Sequence, residues 1–181
     1  MSRIIHSFDP TEDFIVGTVG EPGNRTFFLQ AQNGTRLVSV ALEKSQVAGI
    51  SERFEFLLKE FGLAGVLKST HSQNISAELH QPLLEEFRVG VIALSWLSDR
   101  NMFSLTLQAV SEDDEENEEI QDDDLQEAPD LLRMVLTPSQ AAKFCVVSAL
   151  VMSAGRLPCP FCGLPLDPRG HLCPRANGYR R

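Results

Sequence analysis

No apolar run in this chain approaches the roughly 20 residues that a membrane-spanning helix requires. The longest, Phe144 to Met152, is interrupted by Ser148. An export signal is missing too: Met1-Ser2-Arg3 leads into a polar, acidic stretch. The expectation is a cytoplasmic protein without a membrane contact, whose four cysteines stay reduced, which favours metal binding over disulfides. Reaction signatures are also absent. There is no nucleophile elbow, no phosphate-cradling Walker loop, no dinucleotide fingerprint and no H-E-x-x-H. Gly17-Thr-Val-Gly20-Glu-Pro-Gly23 is glycine-rich, but it lies between two strand-like segments. Without a helix N-terminus to receive a phosphate it reads as a turn. These absences favour a non-catalytic reading and identify no small-molecule substrate, and an enzyme built from dispersed residues stays open as an alternative.

What is present is enough for one domain and an appendage. The 181 residues, 43% of them apolar, suit a core of about 150 residues plus a small extension. The net charge of −9 is unevenly held. Residues 111–130 carry 12 acids and no Lys or Arg, leaving 13 acids against 16 bases elsewhere. Residues 156–181 carry five Arg and one Asp. An acidic string and a basic tip are separate objects. The string reads as a solvated insert, since dense like charge repels and cannot bury apolar area. A docking site for a basic partner, or contact with the chain's own tail, is the alternative reading.

An internal repeat organises the rest. Phe14-Ile-Val16-Gly17 recurs as Phe87-Arg-Val89-Gly90, and Leu29-Gln30-Ala31 as Leu107-Gln108-Ala109. Val40-Ala-Leu42 with Ser45-Gln46 recurs as Met134-Val-Leu136 with Ser139-Gln140. Each half reads as strand-strand-strand-helix. Strands are expected over 14–19, 25–32 and 35–42, with a hairpin turn at Asn33-Gly34. A helix follows with Val47, Ile50, Phe54, Leu57, Leu58 and Phe61 on one face. In the second half, strands are expected over 87–96, 102–110 and 131–136. Thr137-Pro138-Ser139-Gln140 then supplies an N-cap, a proline at N1 and a capping-box partner. The helix from Pro138 to about Ser153 is apolar on nearly every face and should be the buried one. The fold class is α+β: an antiparallel sheet of six strands from two pseudo-repeated βββα halves, with two helices on one face. The domain spans 1–154, with halves at about 10–61 and 86–154. Residues 62–86 join the halves and are expected to hold a short strand near 65–68.

The tail at 155–181 carries Cys159-Pro-Phe-Cys162-Gly and His171-Leu-Cys173-Pro, a C-x2-C-x8-H-x-C pattern. Two short loops that each present a ligand pair are what tetrahedral Zn²⁺ takes. Having few apolar side chains, the segment would draw its folding energy from the metal. The expectation is a structural zinc knuckle with Cys159, Cys162, His171 and Cys173 as ligands, Gly163 allowing backbone amides to face the thiolates. The H-x-C spacing is one residue tighter than usual; a water or partner residue would complete the shell if His171 does not reach. Arg169, Arg175, Tyr179, Arg180 and Arg181 are candidate partner contacts, since Arg suits phosphate and Tyr stacks on bases. Cys145 reads as a small buried hydrophobe. His71, His80, His6 and Asp9 read as surface or hydrogen-bonding groups.

With repeat and tail in view, the chain resembles a family of uncharacterised actinobacterial conserved-hypothetical proteins over nearly its whole length. The resemblance is carried by Phe87-Arg88-Val89-Gly90 with Ala93-Leu94-Ser95-Trp96, by Val40-Ala-Leu42-Glu43-Lys44, and by the cysteine motifs with Arg175-Ala-Asn177-Gly178. Members of that family are encoded near histidine-phosphatase-like and lipid-kinase-like proteins, which implies a shared pathway at most. Three functions follow as expectations. The preferred one is a non-catalytic adaptor presenting the zinc-held basic tail to a macromolecular, protein partner. The second is a nucleic-acid-binding protein modulated by the acidic insert. The third is an enzyme or regulatory subunit linked to phosphoryl-transfer proteins.

Overall fold

The computed structural model describes residues 3–71, 75, 78–111, 119–121, 123, 125, 127–155, 158–164, 166 and 173. Among the described residues the chain runs through β1 (Ile5–Phe8), β2 (Asp13–Val19), β3 (Thr26–Asn33) and β4 (Arg36–Leu42) into α1 (Lys44–Glu60) and α2 (Ala64–His71). It continues through β5 (Glu85–Leu97), β6 (Met102–Ala109) and β7 (Leu131–Leu136) to α3 (Pro138–Ser153). The mixed α+β class stands, and two elements correct the sequence reading. The segment expected as a strand near 65–68 is helix α2. A Schellman motif ends α1 just before it: Leu63 N–H reaches the Leu58 carbonyl at 2.7 Å and Gly62 N–H the Lys59 carbonyl at 3.1 Å. Gly62 takes φ +72, which a residue without Cβ adopts without strain. The chain is thereby returned onto the helices, where Leu67 and Thr70 are buried. Strand β1 is the other addition. Its four residues have no pattern of their own and become a strand by pairing with β7.

One sheet holds all seven strands, in the order β1-β7-β6-β5-β4-β3-β2. The pairings within β2-β3-β4 and within β5-β6-β7 are antiparallel. The seam between β4 and β5 is parallel, as is β1 with β7. The sheet is therefore mixed, which corrects the antiparallel expectation. The physical reason is the long crossover: α1 and α2 carry the chain back to the end where β4 began, so β5 runs the same way. The first hairpin also shifts by one residue, since Asn33 pairs with Arg36 and leaves Gly34-Thr35 as the turn.

The two edge strands are consecutive in sequence. Only residues 9–12 separate β1 from β2, although five strands lie between them in the sheet. Five peptide steps reach at most about 18 Å, whereas the edges of a flat seven-stranded sheet stand about 29 Å apart. The sheet must curl. The link is fastened from both sides: Thr11 N–H donates to Val135 of β7 at 2.9 Å, and Glu12 N–H to the Asn33 side chain of β3 at 2.7 Å.

Phe14, Val16, Leu29, Val40, Leu105, Leu107, Leu132 and Met134 line one face of this curl. Against them pack α1, through Val47, Ile50, Phe54, Leu57 and Leu58, and α3, through Phe144, Cys145, Val147 and Val151. Although α3 follows β7, it lies against α1, α2 and β2 of the other half. A row of rings records this interlock. Phe14 stacks on Phe144 at 5.3 Å, Phe144 meets Phe54 at 5.7 Å and Phe54 meets Phe103 at 5.2 Å. Trp96 then touches Phe103 and Phe61, both at 4.8 Å. Phe61, expected on the buried face, sits at the end of α1 and is half exposed.

Four glutamines do matching work in pairs. Gln46 and Gln140 each accept the N-cap amide of their helix at 2.8 Å, from Glu43 and Thr137. Each then donates to a neighbouring strand or link, to the Val89 and Thr11 carbonyls at 2.9 and 2.8 Å. Gln30 and Gln108, at 1% and 0% exposure, sit mid-strand and each hold a segment crossing the sheet. Gln30 accepts from His80 N–H at 2.7 Å and donates to its carbonyl at 3.0 Å. Gln108 accepts from Gln121 N–H at 2.9 Å and donates to the Glu119 carbonyl at 3.5 Å. The C-terminal part of the acidic string is thus anchored, with Asp123 on Arg133 through two bonds of 2.9 Å.

Phe54 of α1 stands between the rings of Phe103 in β6 and Phe144 in α3, so Phe54→Ala should cost about 3–5 kcal/mol by leaving a cavity. Urea unfolding measured by far-UV circular dichroism should show a single, earlier transition rather than two separate ones.

Candidate metal centre

The segment after α3 is shaped by its backbone. Gly163 N–H donates to the Cys159 carbonyl at 2.8 Å, and Cys159 N–H donates to the Leu164 carbonyl at 2.7 Å. These bonds close a tight loop over 159–164, with Gly163 at φ +74. The loop turns the amides of Cys162 and Phe161 onto the Cys159 sulfur, and their hydrogen bonds hold that thiol down to about 6. Burial pushes the Cys162 thiol up, and the neighbouring Cys159 and Cys173 sulfurs push it further, against the Leu164 amide.

Cys173 comes in from outside the loop. Its sulfur lies 3.8 Å from that of Cys159, and the sulfurs of Cys159, Cys162 and Cys173 all fall within 4.8 Å of one another. A disulfide needs a separation of about 2.05 Å. Two thiolates on a tetrahedral Zn²⁺, each about 2.3 Å from the metal, stand about 3.8 Å apart. Cys159 and Cys173 are buried and Cys162 is half-buried. Three converging sulfurs, one already favoured as thiolate, make a cluster that could hold a metal ion. Of the expected ligands, the structure brings together Cys159, Cys162 and Cys173. His171 lies outside the described residues, as do Arg169, Arg175, Tyr179, Arg180 and Arg181.

Cys145 takes no part. It is buried in α3, its S–H directed at the Ser51 carbonyl at 3.5 Å, and burial pushes its thiol up to about 12.

A second polar group was missed by sequence reasoning. His80 Nε2 lies 2.8 Å from Asp13 Oδ2, and Lys143 Nζ lies 3.6 Å from Asp13 Oδ1. These residues come from the connector, from β2 and from α3. No spacing in the chain joins them; only the curl and the Gln30 clamp do.

A mixed α+β protein with a cysteine cluster at its C-terminal end is the class these features define. The family profile described as a protein of unknown function (DUF3090) matches residues 6–173, and the chain belongs to that family. The match takes in the whole sheet from His6 onward and all three clustered cysteines. No curated protein matches the chain, and no solved structure does.

In metal-free protein the thiols should separate by reactivity. With Cys159 held near 6, alkylation by iodoacetamide at neutral pH should label it first and leave Cys145 last. Peptide mass spectrometry of a time course reads the order, and equal rates at the two sites would contradict it.

Proposed function

We propose that the cysteine cluster is a structural zinc site and that the protein is a non-catalytic adaptor. In this reading Cys159, Cys162 and Cys173 bind Zn²⁺ with His171 as fourth ligand. The metal then fixes a basic surface carrying Arg169, Arg175, Tyr179, Arg180 and Arg181. The observation that carries the reading is the approach of the Cys159 and Cys173 sulfurs to 3.8 Å across 14 residues of chain, in a segment with few apolar side chains. Four ligands close a zinc shell, so the site would stabilise the tail and leave no open position for chemistry. Placement supports the same reading. The cluster follows directly on α3, whose last carbonyls are capped by Arg25, with Nη2 on the Ala154 carbonyl at 2.6 Å. The tail is thus carried on a fixed helix end. Phe161, between the first two cysteines, is 64% exposed and offers an apolar tip on the cysteine loop.

Elemental analysis of protein purified without added metal should give one zinc per chain. Cys159→Ser should bring it below about half an equivalent, and chelator should lower the melting temperature of the wild type. Full zinc loading in Cys159→Ser would overturn the site.

The adaptor role has its own readout. A protein captured by the wild-type chain should be lost with Cys159→Ser and retained with Cys145→Ser, which touches only the core. Capture of RNA instead, weakening steeply with salt, would replace the adaptor reading with the nucleic-acid one.

A further inference from the structure

A cavity of about 700 Å³ opens where α2, the connector, β2 and the first turn of α3 meet. Its walls are part apolar, from Ile15, Val66, Ile75 and Leu79, and part polar, with Lys143 entering from α3 and both His80 and the carboxylate-bearing Glu78 from the connector. Size and lining suit a small organic ligand, since such sites pair an apolar wall with a few convergent polar groups.

The polar groups are set with care. Asp13 accepts from His80 Nε2 at 2.8 Å and faces Lys143 Nζ at 3.6 Å, so one carboxylate orients both. An acceptor on Nε2 makes that nitrogen the N–H of the neutral ring and leaves Nδ1 as a lone-pair acceptor. Nδ1 makes no hydrogen bond among the described residues. His80 lines the cavity and the carboxylate it donates to does not, so the Nδ1 edge is the part left for an occupant. Behind it, Gln30 is buried to 1% exposure and grips both the N–H and the C=O of His80, while also bonding Ser39 at 3.0 Å. The His80–Asp13 pair is itself 40% and 38% exposed and contributes little stability. Gln30 thus fixes the main chain from which the half-exposed ring reaches the cavity.

We propose that this cavity is a binding site for a small organic anion bearing a neighbouring O–H group. An anionic oxygen would sit on Lys143 Nζ, the hydroxyl would donate to His80 Nδ1, and the carbon skeleton would lie against Ile15, Val66, Ile75 and Leu79. A 2-hydroxy acid and a singly protonated phosphate monoester both offer that pair of oxygens. The site is independent of the cysteine cluster.

The test is calorimetric titration of the full chain, as purified, with 2-hydroxyhexanoate, butyl phosphate and hexanoate. At least one of the first two should bind in the millimolar range or tighter, at least about tenfold better than hexanoate, which lacks the O–H. Whichever binds tells the two sources apart. Lys143→Met, which keeps the hydrocarbon stem of a partly buried side chain, should weaken that binding about tenfold or more. His80→Phe should reduce the hydroxylated ligand to the affinity of hexanoate. Unchanged far-UV spectra and melting temperatures establish that both variants are folded. The proposal is overturned if neither hydroxylated anion binds, if hexanoate binds equally well, or if Lys143→Met binds as tightly as wild type.

Discussion

The meeting of Phe54 with Phe144 is where the first strands and their helix are joined to the last. The helix of the second half crosses to the first, where Phe144 stacks on Phe14 of β2 and turns its edge to Phe54 of α1. That exchange demands a sheet curled enough for α3 to reach β2, and the short link between β1 and β2 enforces the curl. The connector and the end of the acidic string are then drawn over the sheet by Gln30 and Gln108. His80 stands where it does because of this sequence of constraints.

Much of the fold was legible because its signals are local. The helix α3 is announced by Thr137, Pro138 and Gln140, which perform in the structure the capping duties their spacing suggests. The alternation in β3 and the 3.6-residue spacing in α1 are likewise short-range consequences of backbone geometry. What was not legible depends on partners far along the chain. Ile5 to Phe8 become a strand because β7 lies beside them, and the β4–β5 seam is parallel because a two-helix crossover intervenes. Ala64 to His71 carry too few apolar positions to separate helix from strand, and the Schellman turn before them settled the matter.

The candidate sites divide in the same way. Cys159 and Cys162 belong to one tight loop, so their proximity could be read from spacing, and Cys173 lies only 14 residues from Cys159. Asp13, His80 and Lys143 are separated by 67 and 63 residues, and nothing in their neighbourhoods marks them. The one available hint was Gln30, a large polar residue between Leu29 and Ala31 in the buried middle of β3. A buried amide of that kind requires partners, and a segment to hold is what it found.

The exchange of α3 between halves bears on how the chain is made. Phe144 leaves the ribosome about 90 residues after Phe54, which at about 5–20 residues per second is a delay of roughly 5–18 s. Throughout that interval the first half has its strands and α1 but not the helix that covers Phe14 and Phe54. Its apolar face stays open to water, to chaperones and to other nascent chains until α3 has emerged. The interlock thus makes the first half dependent on a helix made about 90 residues after its own.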